Sequence, residues 1–277
     1  MKIQSFSDGC GAMVSGVQLA DASDEQIGAI RQAFVTHGVI FFREQSLSPE
    51  QHLVFARRMG DIVVNKFFMP LADFPEIAEV RKEKDQQMNI GGGWHTDHSY
   101  DVEPALGSIL VARTLPQSGG DTWFANLANA FDALPDDLKN RLRGLRAKHS
   151  NRHIYGEGGY YAQTDLADRL GGRDRVGDAV HPVVIVHPES GREVLYVNPA
   201  HTIQLEGMDE AERNAQLEQL YEHVVQEQFI CRFNWESGSA ALWDNRSTWH
   251  FAQNDYPGQD RLMHRITLAG SALSAAA

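Results

Sequence analysis

The 277 residues of the chain, of which 42% are hydrophobic, are enough to bury a sizeable core, and this length fits a single domain spanning 1–277 better than two domains. The formal net charge of −12, without any cluster of Lys or Arg, argues against a nucleic-acid-binding surface. The chain also has no run of ~18 apolar residues and no apolar signal-peptide core at its N-terminus, which predicts a cytoplasmic protein that does not contact a membrane.

The first part of the chain predicts two helices that alternate with strands. Ser23 can cap a helix whose apolar residues follow helical spacing, and Gly38 can end that helix. Ser48, followed by proline, can open a second helix, which the chain leaves at Gly60. Apolar runs typical of buried strands occupy residues 39–42 and 77–80.

Two segments lack a regular hydrophobic pattern and are predicted to be active-site loops. The segment 61–92 has mixed character, and its part 63–70 could fold over a binding site. The segment 150–180 is rich in Gly, Asp and Arg, which is typical of a long insertion. Loops of this kind carry substrate contacts more often than core contacts.

Short strands separated by turn residues dominate the rest of the chain. They are expected at 107–112, 121–125, 181–186, 193–198, 228–235 and 239–243. Ser190-Gly191 predicts a hairpin turn between the third and the fourth of these strands. Helical segments are expected at 126–144, interrupted by Pro135, and at 209–225. This pattern favours a mainly β fold, a two-sheet sandwich or jelly roll with helices packed outside.

The stretch Trp94-His95-Thr96-Asp97-His98 contains a candidate metal site. In an extended strand alternate side chains share a face, so His95 and Asp97 would present an imidazole and a carboxylate to one point. His250, far downstream, is the candidate for a third ligand. Two histidines and one carboxylate that leave the other positions open are the ligand set of non-haem Fe(II) oxygenases.

Two arginines follow His250 at a spacing that suits anion binding. The turn formers in 254–258 and the alternation in 261–268 predict a hairpin that places Arg261 across from His250. Arg265, four residues further on, then shares the face of Arg261. Two guanidiniums beside a metal could hold an anion bound there, and a purely structural metal site has no use for them.

Four motifs occur in an order and spacing that carry a family resemblance. They are W-H-T-D-H-S-Y at 94–100, S-G-G-D-T at 118–122, W-D-N-R-x-x-x-H at 243–250 and R-x-x-x-R at 261–265. Together they resemble the taurine dioxygenase and 2,4-dichlorophenoxyacetate dioxygenase family of Fe(II)/2-oxoglutarate enzymes, over about residues 40–268. The resemblance implies a double-stranded β-helix, the cupin-like jelly roll, with the metal at one open end.

The resemblance also implies site roles and a reaction. The residues are His95, Asp97 and His250 for Fe(II), Thr122 and Arg261 for the far carboxylate of 2-oxoglutarate, and Arg265 for the anionic group of the primary substrate. Three open positions on Fe(II) suffice for the two-point chelate of 2-oxoglutarate and for O2. The expected reaction hydroxylates a small anionic molecule (a sulfonate, sulfate ester, carboxylate or aryloxyalkanoate) and releases succinate and CO2. It needs no catalytic residue beyond the metal ligands.

Taurine itself is disfavoured as the substrate. Family members that use taurine carry an asparagine four residues before the first metal histidine, where this chain has Gly91. The smaller residue leaves more room and fewer donors, which favours a larger or less polar body behind the anion. His201 and Tyr155 are candidates to line this space, and they are equally candidates for ordinary loop residues.

Two other classes of function remain open at this point. One is a metal-binding jelly-roll module without turnover, and the other is a zinc hydrolase in which the three ligands hold an activated water. Arg261 argues against the hydrolase, because hydrolysis needs a general base near the metal and no clamp for a cosubstrate. Assembly of the chain into a homo-oligomer is also left open.

Overall fold

The computed structural model describes residues 1–276, and within them strands outnumber helices, as predicted. The helices are α1 (Asp24–His37), α2 (Pro49–Met59), α3 (Leu127–Asp132), α4 (Asp136–Arg143), α5 (Arg152–Tyr155) and α6 (Glu210–Val224). The strands are β1 (Lys2–Ser5), β2 (Ala12–Ser15), β3 (Val39–Phe42), β4 (Ile62–Val63), β5 (Pro70–Leu71), β6 (Phe74–Lys82), β7 (Gly107–Thr114), β8 (Thr122–Asn126), β9 (Arg146–Ser150), β10 (Asp178–Pro182), β11 (Val184–Val186), β12 (Glu193–Leu195), β13 (Thr202–Leu205), β14 (Ile230–Phe233), β15 (Ala240–Asp244), β16 (Thr248–Ala252), β17 (Arg261–Leu268) and β18 (Ser274–Ala275). None of the helices in this range has the length and apolar character needed to cross a bilayer.

Both N-terminal helices begin and end where the sequence predicts. Ser23 caps α1 by accepting a hydrogen bond from the backbone N–H of Gln26, whose side chain accepts one in return from the backbone N–H of Ser23. Ser48 and Gln51 form the same capping box at α2. Gly38 ends α1 with a φ of +74°, a left-handed value that glycine adopts without strain.

Two sheets hold the strands that carry the candidate site. The large sheet has the order β1-β2-β3-β15-β7-β17-β6-β5, with β4 also paired to β17, and the small sheet has the order β14-β8-β16. Side chains from both sheets, including Phe41, Phe124 and Met263, form one buried cluster between them. Helices α1 and α2 pack on the other face of the large sheet through residues such as Phe34 and Leu53. The site therefore lies between two sheets, one of which is supported by helices.

The hairpin predicted between the strands of His250 and Arg261 is wrong. β16 pairs with β8 in the small sheet, whereas β17 pairs with β7 and β6 in the large sheet. The connection crosses between the sheets because it is tied to the loop before β8: Tyr256 is buried, and Asp255 accepts a hydrogen bond from the backbone N–H of Gly120 at 2.7 Å. His250 and Arg261 therefore line the same space from two different sheets.

The predicted loop 150–180 is an ordered excursion between two paired strands. β9 ends at Ser150 and β10 begins at Asp178, and these two residues are partners in the ladder. The excursion contacts the segment 61–92: Phe67 stacks on Tyr155 with ring centroids 4.4 Å apart, and the backbone N–H of Gly171 donates to the carbonyl of Phe67 at 2.9 Å. The two segments that the sequence analysis named as active-site loops thus pack against each other.

A buried ionic network supports the connection from β15 to β16, the strand of His250. Asp244 is fully buried and accepts hydrogen bonds from His187 Nε2 at 3.0 Å and from Arg246 Nη2 at 2.6 Å. Arg246 also donates to Glu189 at 2.8 Å, which in turn accepts from Arg31 of α1. Burial alone would raise the pKa of Asp244, but the charge of Arg246 and the bond from His187 outweigh it and lower that pKa to about 2.

This network predicts a distinct loss of stability in acid. The folded pKa of Asp244 is about 2 and the unfolded one about 3.9, so its contribution is complete above pH ~4 and is lost as the pH falls toward 2. Urea unfolding of wild type and Asp244→Asn should show a stability difference that shrinks by about 2 kcal/mol between pH 5 and pH 2. Two curves that stay parallel over this range would contradict the expectation.

Candidate active site

His95 and Asp97 reach the same point, but not along the extended strand that the sequence predicted. His95 forms an isolated β-bridge with His250, in which each backbone N–H donates to the other carbonyl, at 3.1 and 2.8 Å. Thr96 is buried and donates its hydroxyl to the carbonyl of Asn245 at 2.6 Å, which holds the chain against the β15–β16 connection, and Asp97 begins a turn. The bridge, rather than strand alternation, therefore brings the two histidines together.

The three predicted metal ligands converge. Nε2 of His95 lies 3.6 Å from Oδ1 of Asp97, and Nε2 of His250 lies 3.5 Å from Oδ2 of the same carboxylate. One ligand atom from each residue lies within 4.8 Å of the other two, and the part of the chain that the structure describes contains no second such group. Atoms bound to one ion at ~2.1 Å are about 3 to 4 Å apart, so the three side chains fit a single ion.

The protonation of these side chains also suits a metal. Nδ1 of His95 lies 2.8 Å from the carbonyl oxygen of Gly93 and carries the ring proton, which leaves the lone pair on Nε2. Burial and the neighbouring His95 lower the pKa of His250 well below its ordinary range, so this ring is neutral. Burial would raise the pKa of Asp97, but Arg265 and the two histidines outweigh it and lower that pKa, so the carboxylate is charged.

Arg265 forms an ion pair with Asp97 that the sequence analysis did not predict. Its Nη2 donates to Asp97 Oδ2 at 2.6 Å and to Ser108 Oγ at 2.8 Å. Its Nε is buried and has no acceptor within residues 1–276. The guanidinium carbon lies 5.6 Å from the ring centroid of Trp243 and 5.7 Å from that of Phe68. Arg265 thus contacts a candidate metal ligand and keeps one donor free.

Arg261 is a buried cation that forms no ion pair among the described residues, although the charge of Asp121 is close enough to favour it. Its side chain is 5% exposed, and Nε and Nη2 have no hydrogen-bond acceptor among the described residues. Burial lowers its pKa, which reflects the unfavourable desolvation of an unpaired charge. Thr122 lines the same cavity and accepts a hydrogen bond from Trp235 Nε1 at 2.9 Å, so its own O–H is left to donate. The two side chains offer several donors to one anionic group.

Two connected cavities lead to the three ligands. The inner cavity is lined by all six predicted site residues, His95, Asp97, Thr122, His250, Arg261 and Arg265. The outer cavity shares Gly91, His95 and Tyr155 with it. Gly91 has a φ of +79°, and a Cβ at this position would lie 3.2 Å from Cε1 of His95. A larger residue at position 91 would therefore crowd the ring of His95, and its backbone would be strained.

The wall of the outer cavity contains aromatic residues that the sequence analysis missed. Tyr160 and Tyr161 line it together with Tyr155, and all three come from the segment 150–180. His201, the other residue named as a candidate, also lines it, and its ring centroid lies 6.5 Å from that of His95. The adjacent pair Tyr160-Tyr161, in a segment otherwise poor in hydrophobic residues, is the signal that could have identified this wall.

Comparison with known proteins tests the family resemblance. The model of the family described as "Taurine catabolism dioxygenase TauD, TfdA family" matches residues 2–267. The chain is 34% identical to the alkylsulfatase of Acinetobacter baylyi, over 100% of this chain and 87% of that protein. It is 33% identical to the (S)-phenoxypropionate/alpha-ketoglutarate-dioxygenase of Sphingobium herbicidovorans, over 95% of this chain and 93% of that protein.

Solved structures of similar proteins agree with the fold. A taurine dioxygenase from Burkholderia xenovorans superposes with a TM-score of 0.84 at 34% identity, over 99% of this chain and 92% of that chain. The structure of AAD-2 in complex with Mn(II) and N-oxalylglycine has a TM-score of 0.80 at 26% identity, over 99% of both chains. Taurine dioxygenases have the jelly-roll fold, so the predicted fold class is confirmed.

The comparisons favour the dioxygenase over the zinc hydrolase and over the module without turnover. This family uses Fe(II), 2-oxoglutarate (alpha-ketoglutarate) and O2, so the predicted cofactor set is confirmed at the level of the family. The described residues fit this set, because they provide a pocket for one ion and a buried cation that lacks an anion. With the family model matching almost the whole chain, and relatives above 30% identity over most of their length, the protein belongs to the TauD, TfdA family of taurine catabolism dioxygenases.

Proposed function

We propose that in this dioxygenase His95, Asp97 and His250 hold Fe(II), and that Thr122 and Arg261 hold the far carboxylate of 2-oxoglutarate. The observation that carries the proposal is the buried Arg261 guanidinium, which shares a cavity with the three ligands and has donors without acceptors. An unpaired buried cation is unfavourable in the empty protein and favourable once a carboxylate binds it. When bound, Fe(II), 2-oxoglutarate and O2 together supply the oxidising power that hydroxylates a C–H bond and yields succinate and CO2.

The residues around the ligands bind and orient them. The carbonyl of Gly93 fixes the ring of His95 with Nε2 toward Asp97. The ring of His250 packs against Trp243, with centroids 4.8 Å apart, and this contact fixes its orientation although its Nδ1 has no acceptor within residues 1–276. A single nitrogen of Arg265, Nη2, donates to both Asp97 and Ser108 and so holds the carboxylate of Asp97 in place. Such support keeps the ligand atoms at the spacing that one ion requires.

We infer that the primary substrate combines one anionic group with an aromatic or apolar body. The free Nε of Arg265 lies beside the inner cavity and suits the anion. The outer cavity is lined by Tyr155, Tyr160 and Tyr161, and neither Lys nor Arg is among its described lining residues. Burial and the nearby His95 lower the pKa of His201 to about 3, so this ring adds no positive charge. Aryloxyalkanoates, and sulfate esters with a large organic group, fit these walls better than taurine.

A substrate screen tests this inference. Succinate release should be measured with Fe(II), 2-oxoglutarate and O2 in the presence of 2-phenoxypropionate, an alkyl sulfate, an aryl-substituted sulfonate and taurine. We expect the highest kcat/KM with a compound that carries an aryl group or a long alkyl chain, because it fills the outer cavity. Taurine as the best substrate would contradict the inference.

An anaerobic titration tests the proposed cosubstrate site without turnover. Addition of 2-oxoglutarate to the Fe(II)-loaded protein should produce the visible metal-to-ligand charge-transfer band of the chelate. Metal binding without the band would reject chelation of the cosubstrate and favour a metal-binding module or a hydrolase.

Arg265 is expected to affect the primary substrate more than the cosubstrate. Lysine at this position keeps the charge, but it cannot contact Asp97, Ser108 and a substrate anion at once because it lacks the planar fork of arginine. We expect Arg265→Lys to raise the KM of the primary substrate ~10-fold and that of 2-oxoglutarate less than ~3-fold. Steady-state kinetics in both substrates measure this, and a larger effect on 2-oxoglutarate would exchange the roles of Arg265 and Arg261.

We further propose a cytoplasmic location and small anionic molecules, rather than nucleic acid, as partners. The net charge of −12 disfavours phosphate-backbone binding. Cys10 and Cys231 are both free and buried, with their Sγ atoms 2.9 Å apart, which is the state expected in a reducing compartment. Titration of thiols in protein purified and denatured without reductant and without oxygen should find two, and a disulfide would contradict this location.

A further inference from the structure

Lys82 lies next to Arg261 on the face of the large sheet that carries the site. In the antiparallel ladder of β6 and β17, Lys82 is directly opposite Arg261, and Val80 is opposite Met263. Directly opposite residues project to the same side of a sheet, with Cβ atoms about 5 Å apart. Val80 lines the inner cavity, so the alternation of β6 places Lys82 on the same side.

Lys82 is buried and, like Arg261, forms no ion pair within residues 1–276. The residue is 4% exposed, and its ammonium lies 4.5 Å from the ring centroid of Tyr256. Within residues 1–276 the lysines that form ion pairs are Lys66, Lys139 and Lys148. A cation–π contact offsets only part of the unfavourable desolvation of an ammonium group. Neither Lys82 nor Arg261 forms an ion pair within residues 1–276, although the carboxylates of Glu83, Asp85 and Asp260 line the cleft beside them.

The two cations also share an open cleft at the end of β6. Lys82 and Arg261 both line it, and Arg261 lines the inner cavity as well. Arg261 thus borders both the inner cavity and the cleft that Lys82 lines. Adjacent like charges repel each other, and one carboxylate bound between them would remove this repulsion and supply acceptors to both.

We propose that Lys82 is a second cation for the far carboxylate of 2-oxoglutarate, which it binds together with Arg261. This inference rests on the proposed cosubstrate site and adds a residue to it. The ammonium stabilises the bound dianion, and the bound carboxylate in turn removes the repulsion that Arg261 and Lys82 exert on each other in the empty protein. Lys82 takes no part in the chemistry at the metal, so it acts on the binding of the cosubstrate.

The test compares two 2-oxo acids that differ in the far carboxylate. 2-Oxoglutarate and 2-oxobutanoate are titrated anaerobically into the Fe(II)-loaded wild type, Lys82→Met and Lys82→Arg, and the visible charge-transfer band gives each Kd. We expect Lys82→Met to weaken 2-oxoglutarate about tenfold or more and to leave 2-oxobutanoate unchanged. Lys82→Arg should restore most of the affinity. Lys84→Met is the matched control, because Lys84 is exposed and lines the same cleft.

Other outcomes separate the inference from the proposed function. Equal affinity of wild type and Lys82→Met for 2-oxoglutarate overturns the role of Lys82, and equal weakening of both acids shows a structural effect and overturns it as well. If the wild type shows the band with neither 2-oxoglutarate nor 2-oxobutanoate, the proposed cosubstrate site is overturned, and the inference about Lys82 with it. The thermal shift produced by Mn(II) with N-oxalylglycine gives an independent readout and should be smaller for Lys82→Met than for Lys84→Met.

Discussion

Replacement of Asp97 by asparagine should abolish succinate release and weaken Fe(II) binding by at least ~10²-fold. Changes in groups that only support the ligands of a metal already cause losses of about 10- to 100-fold, and Asp97 is a candidate ligand itself. The amide keeps the shape of the side chain but removes the negative charge between His95 and His250. It also leaves the buried guanidinium of Arg265 without its carboxylate, so the variant should have a lower Tm than wild type.

The measurements are an anaerobic Fe(II) titration and succinate release at saturating 2-oxoglutarate. Glu79→Gln is the matched control, because Glu79 also pairs with an arginine, Arg81, at 3.0 Å, but on the partly exposed outer face of β6. Such surface pairs contribute little, so Glu79→Gln should keep wild-type activity. Retention of Fe(II) affinity within ~3-fold in Asp97→Asn would show that this carboxylate is not a ligand.

Arg261→Met should raise the Kd of 2-oxoglutarate by ~10²-fold or more without destabilising the empty protein. Two charge-assisted hydrogen bonds to a carboxylate, each contributing about 1.5 to 3 kcal/mol, account for a loss of this size. In the empty protein Nε and Nη2 of Arg261 have no acceptor within residues 1–276, and an apolar side chain of similar length is neutral or stabilising in place of an unpaired buried charge. We therefore expect an unchanged or higher Tm.

The combination of these two results distinguishes a ligand-binding cation from a structural one. Loss of cosubstrate affinity together with a lower Tm would indicate that Arg261 supports the fold. Arg232→Met is the control, because Arg232 lies on β14 in an exposed pair with Glu227 and should change neither quantity. Cosubstrate affinity that is unchanged in Arg261→Met would place the carboxylate subsite elsewhere.

Arg261 and His250 line one cavity, as predicted, although the local structure predicted for them is wrong. The sequence analysis placed Arg261 opposite His250 in a hairpin, whereas β16 and β17 belong to different sheets. Both arrangements put the two residues at one cavity, because facing sheets bring side chains together much as paired strands do. The order of the motifs in the sequence therefore predicted that Arg261 lies near His250, whereas the predicted strand pairing was wrong.

The three candidate metal ligands likewise lie together as predicted, although the local structure predicted for them was wrong. His95 and Asp97 converge as predicted, but through a β-bridge to His250 and a turn at Asp97 rather than through an extended strand. The helix caps at Ser23 and Ser48 were predicted correctly in detail, since a cap depends on residues three positions apart. Local interactions of this kind are encoded in local sequence.

By itself, the sequence determined the chemistry of this protein: which side chains could bind a metal and an anion, where the helices begin, and that the chain is mainly β. The tertiary structure alone decided which sheet each strand joins, that Arg265 pairs with Asp97 across 168 positions, and that Lys82 stands beside Arg261. The physical reason is that side-chain type and short spacing determine intrinsic reactivity and local hydrogen bonds. Pairing between distant segments depends on register and on how the core closes, and no local pattern specifies either.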